Sequence, residues 1–322
     1  MRFYVGTYTR LGGAGIAVCE ETDGALALLS TCRPLEDPIY VLPSADGRFL
    51  YATGHTAENA DGMLLTCAVE GEHLRPLAMQ PTGGADVCHL TISADGRFLY
   101  AANYATGSVA VFPLTDGVAG ARIQLAERHG SGPNKARQEC AHPHQCTFRP
   151  TTQELFVCDL GMDRVAIYEQ DAASGLLTPK TELATPAGMG PRHLVFDGTN
   201  RLYLVGELDS RVRRYDLDGG VWRMVQELST LPEDAIGSNY PAAIRLHDRQ
   251  LFVSIRGHDS LCRIALLPDG TMADRTWQLS GVSYPRDFRL TKSGRVLIAN
   301  QNGGVVCGEQ HLPLDGAVCI GV

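Results

Sequence analysis

Helix is what this sequence lacks most: no stretch of its 322 residues keeps a convincing helical period. No apolar run approaches the length needed to span a membrane. The start, MRFYVGTYTR, lacks the charged end, long apolar stretch and small-residue cleavage site of a secretory leader, so the expected compartment is the cytoplasm. The ten cysteines never stand in Cys-x-x-Cys spacing, which argues against structural zinc; without a leader they read as reduced, mostly buried thiols. Positive charge is in deficit, with 28 Lys and Arg against 36 Asp and Glu, and the net charge of −8 disfavours a nucleic-acid partner. No Gly-x-Ser-x-Gly elbow is present. Leu11-Gly12-Gly13-Ala14-Gly15 has neither the Lys-Ser/Thr of a phosphate loop nor a strand-to-helix context, and reads as a turn.

What is present is repetition. Val87–Leu114 reads as strand, turn, strand, turn, strand, with Ser93-Ala94-Asp95-Gly96 as the first turn. Comparable units begin near Asp37, Asp86, Pro143, Pro191, Pro241 and Pro285. A landmark on the second strand moves through Tyr51, Tyr100, Phe156, Tyr203, Phe252 and Leu297, at spacings of 45 to 56 residues. That is the period of a β-propeller blade. Arg2–Tyr8 resembles a second strand without its first, and Ala317–Val322 a first strand without its second. The expected fold is therefore all-β: a seven-bladed propeller over residues 1–322, one domain, closed by both termini in one blade. Closure removes the exposed sheet edges that invite aggregation.

In a propeller the first strand of each blade lines the central channel. One blade position then collects Ile39, Cys88, His144, Arg192, Ala242 and Arg286; another collects His55, Tyr104, Glu207 and Arg256, with Tyr8 as the split-blade counterpart. The rest of the repeat is Val, Leu, Ile, Phe and Ala, so packing alone does not choose these charges. Charges in a confined channel are costly unless paired or used. A belt of ion pairs among Arg192, Glu207 and Arg256, tying neighbouring blades together, is one reading. The other is a polar site with a proton acceptor, fixed cations and a carboxylate, suited to an anionic substrate whose reaction develops charge on oxygen.

The longest spacing holds an insertion, 126–141, polar and rich in turn formers, of the kind that carries function. His142-Pro143-His144 could place two imidazoles on one side of a strand, yet no nearby Asp, Glu or Cys set completes a metal site, and none is expected. Ser131, near His129, is a weak nucleophile candidate. Arg256-Gly257-His258-Asp259-Ser260 reads as a turn held by local hydrogen bonds.

Several longer stretches are similar to one family. GTYT at Gly6–Thr9, DGRFLYAANYATGSVAVF at Asp95–Phe112, GSGPNKARQECAHPH at Gly130–His144, GPRHLVF at Gly190–Phe196, GEL at Gly206–Leu208, NYPAAIRL at Asn239–Leu246 and RGHDSL at Arg256–Leu261 resemble the seven-bladed propeller lactonases. That family includes propeller-type 6-phosphogluconolactonases and fungal 3-carboxy-cis,cis-muconate lactonizing enzymes. The resemblance implies catalytic residues His144, Arg192, Glu207 and Arg256, with no metal or organic cofactor. Where the family often has Asn before the Glu and before the second Arg, this chain has Gly206 and Ile255; the lost amides are candidates for substrate contacts.

The expected function is hydrolysis of a sugar-acid lactone such as 6-phosphogluconolactone. His144 or Glu207 would activate water, and Arg192 and Arg256 would stabilise the oxyanion. Arg286, Arg137, His193 and His55 are further substrate contacts. The expected partner is the small anionic lactone alone, with neither nucleic acid nor membrane, in a monomer or weak homo-oligomer. Carboxymuconate lactonization is the alternative chemistry, and a non-catalytic binding platform the alternative class.

Overall fold

Each repeat folds as a four-stranded antiparallel meander, and seven such sheets form among the described residues, 1–279, 281–291 and 294–322, of this computed structural model. The innermost strands of blades 1 to 7 are Ala317–Gly321, Glu36–Pro43, Val87–Ile92, Pro143–Phe148, Pro191–Phe196, Tyr240–His247 and Pro285–Leu290. The ring closes as expected: Ala317–Gly321 pairs antiparallel with Arg2–Thr7, with Val5 opposite Ile320. The one helical segment among the described residues is a single 3-10 turn at Thr9–Leu11, so no helix is long and apolar enough to cross a membrane.

The second-strand landmarks explain why the repeat keeps an aromatic there. Tyr51, Tyr100 and Tyr203 are buried. Their hydroxyls donate to the carbonyls of Gly117, Gly175 and Gly270, each on the outer hairpin of the next blade, at 2.7, 2.9 and 2.6 Å. A buried phenol needs such a partner, and here it staples neighbouring blades. Phe156 has no hydroxyl and instead meets Phe196 and Trp222 of the next blade edge-on. The interfaces between blades are filled by Val, Leu, Ile and Ala of the two middle strands.

Blade 3 departs from the plan. Its outer strand is broken into Val118–Ala119 and Gln124–Glu127, both paired with Ser108–Thr115. Ala126 and Glu127 therefore belong to the sheet, and the free part of the expected insertion begins at Arg128.

The feature that positions the channel residues is a bulge. In blade 4, Pro143 pairs with Asp159 and Gln145 with Cys158, so His144 has no partner in the ladder. Arg192 in blade 5, Arg286 in blade 7 and Cys88 in blade 3 are skipped in the same way. An extra residue in one strand breaks the period-two alternation and re-aims its side chain. Here the skipped Cys88, His144 and Arg286 line the central cavity, and Arg192 lies beneath it.

Candidate active site

Glu207 follows the second strand of blade 5, Arg201–Gly206, and is 2% exposed. Its Oε2 accepts from Arg192 Nε at 2.8 Å and Arg256 Nη2 at 2.7 Å. Its Oε1 accepts from Arg137 Nη2. Three guanidiniums from blade 5, blade 6 and the insertion thus share one carboxylate. Burial by itself would raise the Glu207 pKa; Arg256 and Arg192, with Arg137 behind them, overcome it and hold the group well below the usual carboxylate range. A carboxylate so held is a weak base and a strong organiser of cations.

His144 is also buried, and burial pulls its pKa well below that of free imidazole, with Arg192 adding to the effect. Its Nδ1 lies 3.8 Å from Cys88 Sγ, whose thiol burial pushes up to about 12. The sulfur is therefore a neutral, weak partner. His144 Nε2 makes no hydrogen bond with any described residue, and the ring lines the central cavity. A neutral imidazole with an open nitrogen is suited to accept a proton.

The cavity has a volume of about 220 Å³ and is walled by Tyr8, Ile39, Cys88, Tyr104, His144, Glu207, Arg256, Arg286 and Arg137, with Arg10 and Asp86 at its edge. Ile39, Cys88, His144 and Arg286 from one blade position singled out in the sequence, and Tyr8, Tyr104, Glu207 and Arg256 from the other, converge on one space, while Arg192, Ala242 and His55 do not line it. Arg192 lies beneath, beside a second cavity of about 10 Å³, the space of one water, together with His193. His193 Nε2 faces Arg192 Nη1 at 3.5 Å, so Arg192 donates and His193 Nδ1 is left buried without a partner. His55 is apart from the site: its Nδ1 bonds the Thr56 carbonyl and its Nε2 is 3.9 Å from Asp37. Arg10 and Asp86 were missed in the sequence because they precede or follow the aligned blade positions.

The insertion is anchored rather than loose. Gln138 is fully buried, and its Nε2 donates to the Leu160 carbonyl and to Asp163 at 2.9 and 2.8 Å. Arg128 pairs with Asp159 at 2.6 Å. These bonds present Arg137 to Glu207 from above. His142 stacks on Tyr104, with ring centroids 4.4 Å apart, and does not join His144. Its Nδ1 meets the Tyr104 carbonyl at 2.8 Å, and its Nε2 meets Glu139 at 3.2 Å. Contrary to the sequence expectation that no such set lies nearby, Glu139 and Cys140 put donor atoms beside His142, all three within 4.8 Å of one another. None of the three lines the central cavity.

Neither position of the lost amides lines the cavity. Ile255 is in the core between strands. At Gly206 an added Cβ would lie 2.3 Å from Asp209 Oδ1 and 2.8 Å from the Met189 carbonyl, so a side chain there would displace the chain that carries Glu207. Ser131 is exposed and away from the cavity. The turn after Arg256 is held locally, by Gly257 N–H to Asp259 at 3.0 Å and by the His258–Ser260 pair at 2.8 Å.

Comparison with known proteins points the same way. The family model described as Lactonase, 7-bladed beta-propeller, matches residues 2–307. A 6-phosphogluconolactonase of Bacillus subtilis is 31% identical over 323 residues, covering 95% of this chain and 90% of that protein. The structure of a periplasmic gluconolactonase of Pseudomonas aeruginosa superposes with a TM-score of 0.85 at 27% identity, covering 99% of this chain and 98% of that one. A Lactobacillus plantarum protein of known structure gives a TM-score of 0.89 at 27% identity, with 99% and 98% covered.

Proposed function

This chain belongs to the seven-bladed β-propeller lactonase family, and from that premise we propose that it hydrolyses a sugar-acid lactone, 6-phosphogluconolactone foremost, with His144 as the general base. The observation that carries the choice of base is the unequal state of the two candidates. Glu207 accepts three charge-assisted hydrogen bonds, whereas His144 is neutral with an open Nε2.

In this reading water attacks the lactone carbonyl, and His144 Nε2 takes its proton. The carbonyl oxygen becomes an oxyanion, met by the N–H groups that Arg256 and Arg137 retain beyond their bonds to Glu207. Collapse breaks the ring C–O bond. The leaving alkoxide takes the proton back from His144, and the open hydroxy acid results. Glu207 keeps the arginines in place from within, and Arg192 fixes Glu207 from below. Preorganisation of this kind needs no rearrangement as charge develops. The ten cysteines are all free, which suits a reducing compartment.

The test is hydrolysis of freshly generated 6-phosphogluconolactone, followed by base uptake, with spontaneous opening subtracted and with and without chelator. A large, chelator-insensitive acceleration is expected. No acceleration would discard this substrate and leave the family membership standing.

A further inference from the structure

One cation of the central cavity has no hydrogen-bond or ion-pair partner among the described residues and only faces an aromatic ring. Arg137, Arg192 and Arg256 are all bound to Glu207, and Arg10 is bound to Asp37. Arg286 makes no hydrogen bond or ion pair with any described residue, and its guanidinium lies 5.4 Å from the centre of the Tyr8 ring. It is nevertheless set in the cavity wall, placed there by the bulge that leaves it out of the sheet ladder. An unpaired guanidinium in a confined space is costly unless a ligand supplies the anion. Its place in the ring is also specific. His144 belongs to blade 4, while Arg286 and Tyr8 belong to blades 7 and 1. In a ring of seven these are the blades facing blade 4 across the channel.

We propose that Arg286 determines specificity by binding a phosphate on the substrate, across the channel from the carbonyl that His144 serves. The proposal rests on the lactonase reading for its reaction but not for its ligand. A lactone with a terminal phosphate would place its two polar ends on opposite walls. A lactone without one would leave Arg286 unpaired. The guanidinium offers parallel N–H donors that match a phosphate, where an ammonium offers a point charge.

The experiment compares 6-phosphogluconolactone with gluconolactone in the wild type, Arg286→Met and Arg286→Lys. Arg286→Met is expected to raise KM for the phosphorylated lactone about tenfold or more, with kcat within about threefold. Its kcat/KM should fall at least about fivefold more for the phosphorylated lactone than for gluconolactone, and Arg286→Lys should recover part of that difference. An equal KM rise for both lactones, or none for the phosphorylated one, would overturn the proposal. If the wild type opens neither lactone, the lactonase reading fails by itself, and Arg286 is then judged by calorimetry with the open acids. Tighter binding of 6-phosphogluconate than of gluconate, abolished in Arg286→Met, supports it; equal binding of the two overturns it.

Discussion

The channel holds two clusters of the same chemical kind, and they have different fates. At the mouth, Glu207 gathers Arg137, Arg192 and Arg256 beside His144. Deeper, Asp287 gathers Arg245 at 2.6 Å and Arg289 at 3.7 Å, beside Tyr40 and His89. The charges of the deep cluster are paired, although His89 Nδ1 is buried without a partner. Asp287 also accepts the backbone N–H of Ile320 at 3.1 Å, which ties in the strand that closes the ring. Arg289 donates to the Tyr40 hydroxyl at 3.4 Å, and that hydroxyl is left to donate to His89 Nε2 at 3.0 Å. Blades 6, 7, 1, 2 and 3 are thereby linked. The mouth cluster has more cations than anions and faces open volume. The ion-pair belt that the sequence offers as one reading of Arg192, Glu207 and Arg256 is present at those residues, tying blades 5 and 6, and a second belt around Asp287 was not read in the sequence.

If the mouth is for chemistry and the deep cluster for closure, substitutions should separate rate from stability. The largest effect is expected at Glu207, where the two roles overlap. Glu207→Gln leaves three guanidiniums facing one another, and should cost about 3–5 kcal/mol of stability in urea unfolding as well as nearly all turnover. His144→Ala should lower kcat by about 10²–10⁴-fold. Its stability should change by no more than about 1 kcal/mol, read from the same unfolding curves. Turnover within tenfold of wild type would move the base elsewhere. Asp287→Asn should do the reverse: a loss of about 3 kcal/mol with kcat of the folded protein preserved within about threefold. If it lost activity in parallel with His144→Ala, the division between mouth and deep cluster would collapse.

The most general effect is with pH. Burial, first of all, pulls His89, His144 and His193 well below the ordinary imidazole value, so the folded chain keeps them neutral. The unfolded chain takes up protons on them below about pH 6.5. It then binds more protons than the folded chain, and stability falls as pH drops, by up to about 1.4 kcal/mol per pH unit for each imidazole. Above about pH 8 these groups contribute almost no slope. Turnover per folded molecule should stay level from pH 8 to about pH 6, since His144 remains a free base there. A rate that halves near pH 6.5 while folding is intact would contradict the buried, neutral His144.

Much of the fold was legible because a propeller writes its period into the chain. The spacing of Tyr51, Tyr100 and Tyr203 marks blades, and the structure shows why: each hydroxyl needs a carbonyl of the next blade. The split blade was legible from two half-units at the termini. His144, Glu207, Arg256, Arg286 and Arg137 were identified and do share one cavity. His55 occupied the right position in the alignment and the wrong place in space, because a blade position says nothing about which way a loop residue turns. Arg192 was identified, but its depth beneath Glu207 was not. The cations of Asp287 went unread as well, because Arg245 and Arg289 look like ordinary strand residues until the channel brings them together.

The sequence alone determined the blade count, the seam between the termini and the residue types available to the channel, since turns, alternation and repeats are local in chain distance. The tertiary structure decided which of those residues meet. Arg137 and Glu207 are 70 positions apart, and Arg256 and Glu207 49. It also decided their direction, because the bulge at His144, Arg192 and Arg286 breaks the alternation from which a strand's facing would be read. A bulge is a property of the pairing between two strands, and so is settled only when the sheet forms.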